Sequence, residues 1–144
     1  MTTTANELSL TTSRLIAASP KQLYDAWLDP KMLVQFMIAG DGMSCPKAAT
    51  DPKIGGRYEI IMNDGSRDIP HTGEYLVLEP HSRIAFTWFS PFAEHGTEVR
   101  LSFAEEAGGT RIELTHLKFQ SEESRNGHEM GWNAILDVLQ RKYA

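Results

Sequence analysis

Residues 120–143 read QSEESRNGHEMGWNAILDVLQRKY, and the fold turns on this stretch. His128, Trp132, Ile135, Leu139 and Tyr143 recur at helical spacing and fall on one face. Ser121 is placed to cap the start. Glu122 and Glu123 sit where the helix dipole favours acids, and Arg141 and Lys142 sit where it favours bases. Gly131 interrupts the pattern. A glycine inside a helix costs on the order of 1 kcal/mol relative to alanine, and here a large indole follows at once. Such a pair predicts a helix backbone lying close against another surface, with Trp132 as its anchor and Gly131 relieving the crowding.

The surface it meets is written in the run before it. From Met43 to Lys118 the hydrophobic period becomes two. Tyr58, Ile60 and Met62 alternate after Gly55-Gly56. Ile84, Phe86 and Trp88 alternate, as do Val99, Leu101 and Phe103, and then Ile112, Leu114 and His116. Asn63-Asp64-Gly65 and Glu106-Ala107-Gly108-Gly109 supply the positive φ that tight hairpins need. A further strand runs from Gly73 to Glu79 and stops at Pro80. The pattern predicts an antiparallel meander with one apolar inner face and one more polar face.

Upstream, Leu8, Leu10 and Thr12 alternate with polar neighbours, which reads as a strand. Ser19-Pro20-Lys21-Gln22 is a helix start: a cap, a proline suited to the first turn, and a glutamine able to close a capping box. Asp29-Pro30 ends that helix and begins a second, with Met32, Leu33 and Phe36 on its buried side. Residues 1–6 are small and polar and read as a disordered tail, leaving a single domain over 7–144. The fold class is α+β. A strand and two short helices precede about six more strands, and only the C-terminal helix is long enough to cover the sheet's apolar face.

Composition narrows the partners. The 144 residues suffice for one domain with a real core. Lys and Arg number 14 against 19 Asp and Glu, and no basic run is interleaved with aromatics, so nucleic acid is not expected. No stretch approaches the roughly 18 apolar residues of a membrane span, and no secretory leader is read at the N-terminus. Cys45 stands alone, which excludes an internal disulfide and fits a reducing compartment; a cytoplasmic protein is expected. There is no His-x-x-x-His, no cysteine pair and no Gly-x-Ser-x-Gly, so neither a metal nor a cofactor nor a hydrolytic triad is expected. Gly55-Gly56 lacks the rest of a phosphate loop and reads as a bulge or bend.

Taken in order, these residues resemble a known family. Ala18-Ser19-Pro20 is followed by Tyr24, Ala26, Trp27 and Asp29-Pro30. Then come Ile54-Gly55-Gly56-Arg57-Tyr58, Gly73-Glu74-Tyr75, Arg83-Ile84-Ala85-Phe86-Thr87-Trp88, Gly108-Gly109-Thr110-Arg111, and His128 to Trp132. From about Leu8 to Tyr143 the chain is similar to the SRPBCC superfamily, in the branch related to the activator of the heat-shock protein ATPase. The resemblance implies a helix-grip fold: a curved antiparallel sheet of six to seven strands wrapped around the C-terminal helix, with a cavity between them. In that superfamily such cavities take lipids, sterols, polyketides and other apolar molecules.

The inner-face aromatics Tyr58, Tyr75, Phe86, Trp88, Phe103 and Trp132 would line such a cavity, and Trp27, Phe36 and Met37 would stand near its mouth. Core packing is the plainer role for Phe86 and Phe103, and Trp27 also fits a helix anchor. Met62 suits an irregular ligand. His116 and His128, from different elements, would face inward and orient a ligand carbonyl or hydroxyl. The candidate ligand-binding set is therefore Trp27, Phe36, Met62, Tyr75, Trp88, His116, His128 and Trp132. His71, His81 and His95 fall in or near expected loops and read as solvated.

Three functions compete. A non-catalytic binder of a small hydrophobic molecule is the leading one. An enzyme of cyclase, aromatase or hydrolase type would place acid–base work on His116 or His128, with Tyr75 assisting. A protein-interaction module is the third. The eukaryotic activator pairs this domain with a distinct N-terminal one, so a chaperone role is not expected to carry over. A homodimer through an exposed sheet edge is compatible with the sequence.

Overall fold

Two short side chains set the path of the first third of the chain. Ser19 Oγ accepts from the Gln22 backbone N–H (3.1 Å), while Gln22 Oε1 accepts from the Ser19 N–H (2.9 Å). This closes the expected capping box and starts α1 (Pro20–Ala26). Asp29 Oδ1 accepts from the Lys31 N–H at 2.9 Å and starts α2 (Pro30–Phe36). Both helices begin with proline, whose missing N–H costs nothing there.

The computed structural model describes residues 8–144; the expected tail at residues 1–6 lies outside them. Strand β1 (Leu8–Ile16) precedes the two helices. After them run β2 (Ser44–Thr50), β3 (Arg57–Asn63), β4 (Asp68–Glu79), β5 (Arg83–Ser90), β6 (Ala93–Glu106) and β7 (Gly109–Phe119), and the chain ends in α3 (Glu122–Lys142). The seven strands form one antiparallel sheet in the order β1-β7-β6-β5-β4-β3-β2. This is the helix-grip architecture. Local hairpins build the meander, and β1 closes it by pairing with the last strand.

Helix α3 buries Trp132, Ile135, Leu136 and Leu139, which lie on one face as the spacing predicts. Its flank is tied to β1 by polar contacts. Thr12 Oγ1 donates to Asn133 Oδ1 (2.6 Å), Arg14 Nε to Asp137 Oδ1 (2.9 Å), and Gln140 Nε2 to the Leu15 carbonyl (2.9 Å). Gly131 departs from expectation. A Cβ built there would meet only the Cβ of Ala39 at 3.5 Å, an ordinary contact. The helix backbone is therefore not pressed against the sheet at this point, and crowding does not require the glycine.

Strand β7 carries the one irregularity that matters for the interior. Thr110, Ile112, Leu114 and His116 point inward in strict alternation, but the next buried residue is Phe119. Lys118 takes a positive φ of 75°, and pairing with β1 shifts beside it, from Ser9 opposite Leu117 to Leu8 opposite Phe119. This bulge turns Phe119 inward next to His116.

Candidate functional site

The space enclosed by sheet and helices is occupied by a continuous aromatic cluster. Trp132 on α3 stands at its centre, with ring centroids 5.0 Å from Trp88 on β5 and 6.2 Å from Trp27 at the end of α1. Trp27 packs edge-on against Phe36 at 5.0 Å. Tyr58 contacts Phe86 at 5.3 Å and Tyr75 at 5.5 Å. Gly73 makes this last group fit. It lies opposite Tyr58 in the β3–β4 register, and a Cβ there would sit 2.7 Å from the Tyr58 ring and 1.9 Å from the Thr87 carbonyl oxygen. With no side chain in the way, the Tyr58 hydroxyl crosses β4 and donates to that carbonyl at 2.5 Å.

The polar groups at the α3 end form a closed relay. Thr97 Oγ1 donates its one proton to the Trp88 carbonyl at 2.9 Å. Its 2.7 Å contact with His116 Nε2 must then run the other way, with the imidazole donating. That fixes the tautomer: His116 Nδ1 has a free lone pair, and it accepts from Trp132 Nε1 at 2.9 Å. Both ring nitrogens are engaged and the residue is fully buried. Burial, with a smaller repulsion from His128, pushes its pKa down to about 2, and a second ring proton would meet the indole N–H head-on. His116 is thus a neutral, satisfied core histidine, with no free nitrogen to offer a substrate.

His128 is partly exposed. Its Nδ1 donates to the Ser124 carbonyl one turn earlier (2.7 Å), and its ring packs on His116 and Phe119. Burial lowers its pKa. His71 corrects the sequence reading. It is not a solvated loop residue but a buried one on β4, with its ring 4.8 Å from Trp88 and Nδ1 donating to the Ile60 carbonyl at 3.3 Å. Desolvation holds its pKa near 4. The signal was present: Ile69, His71, Gly73 and Tyr75 alternate, but Pro70 made the start of the strand look like a loop. Thr97 was missed in the same way, one alternation before Val99.

Two other polar groups are not satisfied. Trp27 Nε1 and Trp88 Nε1 are buried with no hydrogen-bond partner among the described residues. A buried indole N–H normally finds one, and leaving it unmet costs about 1–3 kcal/mol. Between sheet and helices one small space is left, of ≈ 10 Å³, room for about one water. Trp27, Leu33 and Met37 wall it on the helix side; Tyr58, Ile60, Tyr75, Ile84, Phe86 and Leu101 wall it on the sheet side. Of the candidate residues, Trp27 and Tyr75 border this space. Phe36, Met62, Trp88, His116 and Trp132 are buried elsewhere in the core. Trp27, Phe36 and Met37 are core residues, not an exposed mouth.

A separate surface groove of ≈ 180 Å³ lies between the β5–β6 turn and the start of α3. Phe92, Glu94, His95, Ser121 and Ser124 line it, with Thr97 as part of its wall. Ser124 Oγ donates across it to the Phe92 carbonyl at 2.6 Å. Among the described residues, no three His, Cys, Asp or Glu side chains are grouped to hold a metal ion. No helix among them is long and apolar enough to cross a membrane.

Residues 17–143 match the family model described as Activator of Hsp90 ATPase homolog 1-like protein. The chain belongs to that family. Solved structures of similar architecture agree with the helix-grip fold. Protein CV1439 from Chromobacterium violaceum superposes with a TM-score of 0.84 at 22% identity, covering 94% of this chain and 96% of that one. The AHSA1-like protein from Aeromonas hydrophila gives 0.79 at 26% identity, covering 93% and 90%. Protein NE0264 from Nitrosomonas europaea gives 0.78 at 18%, covering 93% and 92%. No curated protein matches the chain. Family membership accounts for the scaffold.

Proposed function

We propose that this member of the Activator of Hsp90 ATPase homolog 1-like family binds a small, mainly apolar molecule between sheet and helices, without catalysing a reaction on it. The observation that carries this reading is the wall formed by Trp27, Leu33 and Met37. It is aromatic and flexible apolar surface, it comes from the short helices α1 and α2, and it faces residual space across from the sheet. A molecule larger than water enters only if that wall moves outward, so binding and displacement of α1–α2 are one event. Acid–base chemistry is the weaker reading, because His116 has both nitrogens engaged and His128 spends one on a backbone carbonyl.

The test is a titration of purified protein with single-ring and two-ring aromatics and medium-chain lipids, followed by tryptophan fluorescence and by amide hydrogen exchange in α1 and α2. One equivalent of a bound compound should quench the fluorescence to saturation and change exchange in α1–α2. No saturable binding across the panel would overturn the proposal.

A further inference from the structure

Two buried polar groups left over in the interior are of one kind. Trp27 Nε1 and Trp88 Nε1 are donors without acceptors, on side chains 4% and 2% exposed. They flank Trp132, whose own N–H is answered by His116. Tyr75 also borders the residual space, and burial raises its pKa, so its hydroxyl stays protonated and can both donate and accept. Among the described residues, no fully buried side-chain acceptor lacks a partner, and no Lys, Arg, Asp or Glu side chain is buried.

A ligand in this interior therefore meets two unpaired indole donors and no buried countercharge. A pure hydrocarbon would leave both indole protons unmet, and an anion would be desolvated without a partner cation. We infer that the ligand class is a neutral apolar molecule carrying a hydrogen-bond acceptor — a ketone, ester or ether oxygen on an aromatic or aliphatic frame — whose oxygen takes the N–H of Trp27, which walls the residual space, or of Trp88, in the core beside Trp132. This rests on the binding reading above and adds the chemistry of the bound molecule to it.

Acetophenone and α-methylstyrene test it. They share one shape, and the carbonyl oxygen of the first is a methylene in the second. The affinity ratio of ketone to hydrocarbon is measured in the wild type, in Trp27→Phe and in Trp88→Phe. It is also measured in proteins whose Trp27 or Trp88 indole is replaced by benzothiophene, which keeps the ring's shape and removes only the N–H. The ratio should fall by up to about tenfold in at least one of the two positions, the worth of one neutral hydrogen bond. In ¹⁵N-labelled protein, acetophenone and not α-methylstyrene should move the indole N–H signal of that same tryptophan, while the signal of Trp132 stays in place. A ratio unchanged at both positions overturns the acceptor inference but leaves the binding proposal standing. Failure of both probes to bind, in a protein that also binds nothing in the wider panel, overturns both.

Discussion

The two ends of the interior solve the problem of buried polar groups differently. Near α3 a relay pairs three side chains: Trp132 gives its proton to His116, His116 to Thr97, and Thr97 to a backbone carbonyl. Toward α1 and β5, two indoles of the same chemistry are buried without an acceptor among the described residues. The first end uses a neutral histidine to hold a tryptophan in one orientation. The second leaves tryptophans with donors unspent. The contrast teaches that burial alone does not distinguish the two ends; whether the buried N–H groups find an acceptor does.

The strongest way to break this contrast is to shorten one indole at each end. Trp132→Phe loses ring volume and also strands the His116 lone pair, which together should cost about 3 kcal/mol in chemical denaturation. Trp88→Phe loses comparable volume but no hydrogen bond, and should cost roughly 1–3 kcal/mol less. Equal losses would erase the difference between the two ends. Next in size is a pH effect. His71 has its pKa depressed from 6.5 to about 4 in the folded chain. The unfolded chain therefore takes up the proton first as pH falls. The stability tied to neutral His71 is full above pH 6.5 and is lost as pH drops from there toward 4. Its share between pH 7 and pH 5 is about 2 kcal/mol. His71→Asn should flatten the stability-versus-pH curve by that amount, and an unchanged slope would mean that the ring is not buried as described. The smallest effect tests how tightly the framework end is packed. Gly131→Ala should stabilise α3 by about 0.5–1 kcal/mol, since the added methyl meets only Ala39. A loss of stability would show that the helix lies closer to its neighbours than this.

Much of the fold was legible because it is written locally. Ser19, Pro20 and Gln22, Asp29 and Pro30, and Ser121 act within four residues of themselves, and each sits where its chemistry predicted. Strands with one buried face showed their period in Tyr58, Ile60 and Met62. Edge strand β2 did not, because only Cys45 in it is buried and alternation has nothing to report. The interior was less readable. His71 was hidden by Pro70, and the inward turn of Phe119 by a bulge formed at a lysine where a glycine would have announced it. The relay from Trp132 to Thr97 joins three elements, and no local spacing encodes it. The free volume was least legible, being a small difference between a large enclosed space and the many side chains that fill it.

The bulge at Lys118 also measures length. Strand β7 leads directly into α3, so a residue gained or lost there changes the phase in which the chain arrives at the helix cap. In a regular strand His116 and Phe119 would face opposite ways, and the imidazole would lose the ring now 4.3 Å from it. One extra residue thus works as a spacer that brings the end of the sheet and the start of the helix into step. Insertions and deletions in this short segment should accordingly be tolerated far less well than substitutions of the same side chains.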